Sequence, residues 1–348
     1  MQVRYIKYLL LISVFVYACK KGDVIQEKVE TFLGFQKPKN FPEPVYKLAN
    51  NPITKDGFEL GRMLFYEPRL SRNNTISCGS CHIQSSAFTQ HGHDVSHGID
   101  DRLGTRNSPP IMNLAWNKAF MWGGGIYDLD LFAISPITAH EEMDESLENV
   151  LNKLKAMDKY RNKFKAAFGS EEISTAKFLK ALSQFMLLCV SSNSKYDKVM
   201  RQEGNASFTA TELEGYQIFK DKCGSCHKEP LFTDNEFRNN GLAPSAINDM
   251  GLYTATLLGT DKYKFKVPSL RNLKYTAPFM HDGRLLTLDA VFTHYIHEVQ
   301  DLENLDPLLN KNGKRGIEIN NDEKTKLMAF LNTLNDEEFI NNELLAEQ

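Results

Sequence analysis

The pentapeptide Cys78-Gly79-Ser80-Cys81-His82 recurs unchanged as Cys223-Gly224-Ser225-Cys226-His227. No other feature constrains this chain as strongly. Two thiols at C-x-x-C spacing add to the two vinyl groups of a haem, and the adjoining histidine turns under the iron as proximal ligand. Zinc would need four ligands, with no preference for histidine at the next position. A thioredoxin-type dithiol would not be duplicated with histidine beside both copies. The motifs therefore predict two covalent c-type haems. With 348 residues, 42% of them apolar, the chain is long enough for two globular domains. A net charge of −3 argues against a broad nucleic-acid-binding face, and six cysteines are too few for a disulfide-built scaffold.

The N-terminus reads as an address. Arg4 and Lys7 form a basic region, an apolar run follows, and Val16-Tyr17-Ala18-Cys19 is similar to a bacterial lipobox. Residues 1–18 are thus expected to be a lipoprotein signal peptide, with Cys19 acylated and 19–45 a tether. That places the protein on the periplasmic side of a bacterial membrane, the side on which c-type haem is attached. The apolar segment 178–190 is interrupted by Lys180, Ser183 and Gln184 at helical spacing. It predicts a buried amphipathic helix, with Cys189 a core thiol.

Fold class follows from periodicity. Residues 147–168 carry apolar side chains at helical spacing and end at Gly169. Residues 174–190 form a second helix capped by Ser174 or Thr175. Thr209 and Glu212 form a capping box for a helix running into the second motif, and 323–334 is a terminal helix. Strand signals are weak. The expected fold is mainly α: two cytochrome c-like helical haem domains with long loops, over 46–200 and 201–340. They join near 191–206, and the C-terminal helix is free to pack back on the first domain.

Several linked segments extend the argument. They are Gly104-Thr105-Arg106-Asn107-Ser108-Pro109, Met121-Trp122-Gly123-Gly124, Glu142-Met143, Val267-Pro268-Ser269-Leu270-Arg271-Asn272 and Thr276-Ala277-Pro278-Phe279-Met280-His281-Asp282-Gly283. With both haem motifs, they make residues 60–334 resemble the bacterial di-haem cytochrome c peroxidase and MauG family. MauG itself oxidises a precursor protein to build a quinone cofactor. The resemblance implies that the first haem is the peroxide site, with His82 proximal and His97 a labile distal ligand. His91 and His93 are rivals in the same loop. Glu142 is implied as the peroxide acid/base, and Trp122 as the relay between haems. Phe132 stands where the family has a glutamine, and Gly123 where it has an aspartate. Asn107, Thr276 and Pro278 match the positions that hold a calcium ion.

At the second haem the resemblance makes His227 proximal and puts Tyr295 where many peroxidases have a methionine ligand, as MauG does. Met280, His294 and His297 are alternatives. An anionic phenolate favours ferric and higher-valent iron over ferrous iron. His281 is expected to make a structural hydrogen bond. The implied function is peroxide reduction with electrons from a small cytochrome c or cupredoxin. Oxidation of a partner protein is the second expectation, and a non-catalytic di-haem electron carrier the third. Family members are often dimers, so a homodimer is a further expectation.

Overall fold

Capping chemistry sets where the helices begin. The computed structural model describes residues 32–348, so the signal segment and Cys19 lie outside the described residues. The Ser174 hydroxyl accepts from the Lys177 N–H and opens the helix Thr175–Leu188. Thr209 and Glu212 form the expected reciprocal box ahead of Ala210–Lys222, which runs straight into the second haem motif. Among the described residues the strands are limited to two antiparallel pairs of two-residue strands. The protein is mainly helical.

Two helix expectations need correction. The segment 147–168 is two helices, Leu147–Lys155 and Asp158–Phe168, separated by an extended Met157. Val150, Leu151 and Leu154 are buried on the first, and Tyr160 and Phe164 on the second. An unbroken helix would carry the first stripe on to Arg161 and Lys165, so the break resets the phase of the apolar face. Gly169 ends the second helix in the left-handed conformation, φ 76°. The 323–334 helix spans Asn321–Asn332 and is not terminal, because Glu337–Ile340 follows it.

Two helical cores are built on one plan. Upstream of the first motif, Lys55–Phe65 crosses Thr175–Leu188, and its buried Phe58, Leu64 and Phe65 lie at helical spacing. Upstream of the second, Ala210–Lys222 crosses Asn321–Asn332. Both crossings are made at a glycine: a Cβ on Gly61 would sit 2.0 Å from the Ala181 carbonyl, and one on Gly215 1.9 Å from that of Lys326. Phe65 and Phe185 fill the first core with ring centroids 4.7 Å apart. Phe219, Phe232 and Phe330 fill the second. Each such ring contributes about 1.5–3 kcal/mol by leaving water.

Both cores belong to one compact unit, Gly34–Gln348. The segment 191–206, read from sequence as a junction, contains the capped helix Lys195–Met200. Its Asp197 makes a bidentate pair with Arg271 at 2.7 and 2.8 Å, both side chains fully buried. Phe41, in the segment read as a tether, packs edge-on against Trp116 and under the Arg271 guanidinium. At the other end, Phe339 packs on Phe88 just beyond the first haem motif. Arg62 and Tyr66 donate to the carbonyls of Leu344 and Leu345 at 2.8 Å.

Candidate active site

Each haem motif opens into a cavity of about 250 Å³. In the first, Cys78 and Cys81 lie on a single helical turn, with Ser80 Oγ accepting from the Ser77 N–H at 3.1 Å. His82 follows, and its Nδ1 meets the Phe88 carbonyl at 2.8 Å. Donation to that carbonyl leaves Nε2 as the free lone pair facing the cavity. Burial pulls the His82 pKa down to about 4, which keeps the imidazole neutral. In the second cavity His227 Nδ1 meets the carbonyls of Phe232 and Pro268, each at 3.1 Å. Burial lowers its pKa as well.

The four motif thiols are unpaired with one another. Burial pushes Cys78 and Cys223 up to about 12 and Cys81 to about 11. These are not the low-pKa thiols of a disulfide oxidoreductase. Two free thiols, one aimed imidazole and a largely apolar lining per cavity are the donor set of a covalent haem, and the residues fit that group. Cys189 is a buried core thiol that donates to the Phe185 carbonyl.

Sequence reasoning missed these carbonyl partners, although for Phe88 and Phe232 a signal exists. Phe88-Thr89 follows the first motif and Phe232-Thr233 the second. Both phenylalanines are fully buried with positive φ, 60° and 56°. The repeated unit is therefore longer than the pentapeptide: it includes the turn that orients its histidine.

Glu142 lines the first cavity together with Cys78, Cys81 and His82. Burial, then the Glu141 charge, raises its pKa. Phe132 and Pro136 line the same wall, and Phe132 packs on Phe120 at 5.6 Å, so its position offers no polar companion. His97 is not among the lining residues. Its Nδ1 meets Asp101 Oδ1 at 2.9 Å and its ring lies against His93, 4.2 Å between centroids. His91 and His93 are exposed.

Trp122 lines both cavities. Its Nε1 donates to the Asn107 carbonyl at 2.9 Å, and the Asn107 N–H donates to the His281 carbonyl at 2.8 Å. The expected structural bond of His281 is thus made by its backbone, while its ring stacks on Phe265 at 3.6 Å. At Gly123, a Cβ would meet the Arg106 guanidinium at 2.9 Å. Arg106 in turn is held bidentately by Asp249 at 2.7 and 2.8 Å. An Arg–carboxylate pair from two other loops packs where an aspartate at this position would project.

Among the four alternatives for the second haem, the structure separates two pairs. Tyr295 and Met280 both line the second cavity. His294 is turned away, Nε2 to the Asn240 carbonyl at 3.1 Å, and His297 is exposed. Burial pushes the Tyr295 hydroxyl up to about 12. Asn240 Nδ2 also approaches Met280 Sδ at 3.4 Å. Asn107, Thr276 and Pro278 line this cavity too, with Asn107 Nδ2 donating to the Asp94 carbonyl. Among the described residues no cluster of three or more His, Cys, Asp or Glu side chains is placed to hold a metal ion. A calcium ion here would draw instead on amide and carbonyl oxygens.

A family model described as di-haem cytochrome c peroxidase matches residues 55–205. The chain is 35% identical over 311 residues to the methylamine utilization protein MauG of Methylorubrum extorquens, covering 86% of this chain and 83% of that one. The chain belongs to the di-haem cytochrome c peroxidase family. It is an oxidoreductase, and its membership implies two c-type haems. To the cytochrome c551 peroxidase of Nitrosomonas europaea it is also 35% identical, with 84% of each chain covered. Among solved structures it is similar to a MauG-like protein associated with microbial copper homeostasis. That match has a TM-score of 0.80 and 32% identity, covering 90% of this chain and 98% of the other. Among the described residues no helix is long and apolar enough to cross a membrane.

Proposed function

We propose that the protein is an exported peroxidase that reduces hydrogen peroxide to two waters, taking two protons and two electrons per turnover. The electrons come from a small cytochrome c or cupredoxin. One observation carries this reading: Glu142 lines the first cavity, with a carboxyl pKa raised by burial, beside the thiols and imidazole that hold a haem. The haems, when bound, supply the iron chemistry. The Glu142 carboxylate takes a proton from the near oxygen of peroxide and delivers it to the departing one. The surrounding apolar wall, Phe65, Ile111 and Phe132 among it, keeps bulk water from competing. Trp122, fixed by Asn107 and fronting both cavities, is the relay between them. His97 serves as a distal ligand only if its loop turns inward and gives up Asp101. A calcium ion at Asn107, Thr276 and Pro278 would stiffen the same seam, and Cys19 would carry the lipid that tethers the exported protein.

The similarity to a cytochrome c551 peroxidase supports a cytochrome donor. The purified holoprotein is expected to oxidise reduced cytochrome c in proportion to added peroxide; no oxidation with two haems attached overturns the reading.

Tyr295 in the second cavity and the similarity to MauG favour a second reading, oxidation of a partner protein by hole transfer through Trp122. Under this reading the resting diferric protein reacts with peroxide directly, whereas a peroxidase of the first kind requires prior reduction of one haem. The ligand itself is tested by electron paramagnetic resonance. Tyr295→Phe is expected to change the signal of one haem and Met280→Leu to leave it unmoved. The reverse pattern assigns Met280.

A further inference from the structure

Lys266 is a cation without a counter-charge at the seam between the two haem sites. It ends the short strand Phe265–Lys266, which pairs with Phe237–Arg238. Its backbone N–H donates to the Trp122 carbonyl at 2.8 Å. Its side chain lines the second haem cavity, and also a smaller cavity bounded by Trp122, Pro109 and Pro268. Among the described residues Nζ makes no hydrogen bond or ion pair, and burial alone pulls its pKa down to about 7.

The contrast with the other cations around this cavity is sharp. Arg238 is paired with Asp234 and Asp306, Arg271 with Asp197, and Lys222 with Glu323. Lys311 is on an exposed hairpin. A half-buried ammonium with nothing opposite it carries a desolvation cost, which an anion within the site offsets. The one anionic group that a c-type haem brings into such a cavity is its pair of propionates.

We propose that Lys266 receives a propionate of the haem held by Cys223 and Cys226, and that its charge raises the reduction potential of that haem. A fixed positive charge beside the macrocycle favours the ferrous form, which is less positive by one unit than the ferric form. Because the backbone of Lys266 is tied to Trp122, the residue that fixes the propionate also fixes the relay beside it. Lys266 is thus a positioning residue. The inference rests on the second haem being bound at this motif, as proposed above.

The test is potentiometric titration of the holoprotein, following each haem by its visible spectrum in wild type, Lys266→Met and Lys266→Arg. Methionine keeps the length and apolar stem but no charge; arginine keeps the charge. In Lys266→Met the midpoint potential of one haem is expected to fall, by about 59 mV for each tenfold shift in its ferric to ferrous ratio. The other haem moves less, and Lys266→Arg stays close to wild type. An unmoved potential in Lys266→Met, or an equal fall in both variants, overturns the role of the charge. Haem content separates the two levels of the argument. A wild-type chain carrying a single haem defeats the assignment of the site, whereas two haems with unchanged potentials defeat Lys266 alone. A Lys266→Met preparation that fails to take up both haems while Lys266→Arg loads fully still supports the proposal, since only the charge differs in kind.

Discussion

In Glu142→Gln, peroxide turnover falls by about 10²- to 10⁴-fold while both haems remain attached. The substitution keeps the volume of the side chain and its capacity to accept a hydrogen bond, and removes the carboxylate charge and with it the ability to exchange a proton. Nothing beside it takes over, because Phe132 contributes an aromatic ring to the same wall. The raised carboxyl pKa of Glu142 brings it closer to the working pH, where a group that both accepts and returns a proton is most effective. Steady-state kcat with hydrogen peroxide and reduced cytochrome c, together with the haem count per chain, measures this effect. Full activity in the variant removes Glu142 from the proton path.

Asp197→Asn costs about 3–5 kcal/mol of stability, the largest structural effect expected of a single substitution here. Asp197 and Arg271 are both fully buried. Breaking the pair leaves Arg271 without an opposing charge, with the Pro230 carbonyl, to which it already donates through Nε and Nη2, and the Phe41 ring beneath it. Burial pushes the Asp197 carboxyl up, but Arg271, Ser194 and Asn40 outweigh it and hold the pKa below the ordinary carboxylate value. A depressed pKa in the folded protein means the contribution is full above the unfolded value and fades as pH falls through the folded one. The denaturant midpoint of the wild type should therefore drop on acidification while that of Asp197→Asn changes less. Removing both charges, as Asp197→Leu with Arg271→Met, should recover part of the loss. A loss below about 1 kcal/mol in the single variant shows that the pair is not holding these segments together.

What could be read in the sequence was local. The haem motifs, the Ser174 and Thr209 caps and the left-handed Gly169 each depend on residues within a few positions, so pattern suffices. The break at Met157 was hidden because both halves are amphipathic and only the phase of the stripe differs. His97 illustrates a local competitor: Asp101, four residues on, supplies a carboxylate to Nδ1, and the ring turns toward it rather than into the cavity. The Asp197–Arg271 pair spans 74 positions, and no periodicity points to it. The fate of Gly123 was equally out of reach, since the group packed there comes from Arg106 and Asp249 on two other loops. Nothing in the sequence sets Lys266 apart from the other lysines, and only the cavity it fronts makes its missing partner visible.

The contacts of Leu344 and Leu345 bear on biogenesis. The carbonyl that receives Arg62 belongs to a residue 282 positions later, and Phe339 rests on the phenylalanine whose carbonyl orients the first haem histidine. The turn that orients the first haem histidine is therefore backed by a segment that lies beyond the second motif in the chain. Synthesis runs from the N-terminus, so Cys78 and Cys81 are made before the segment that backs this turn. Packing behind the first haem histidine is thus completed only after the second motif, Cys223 to His227, has itself been made.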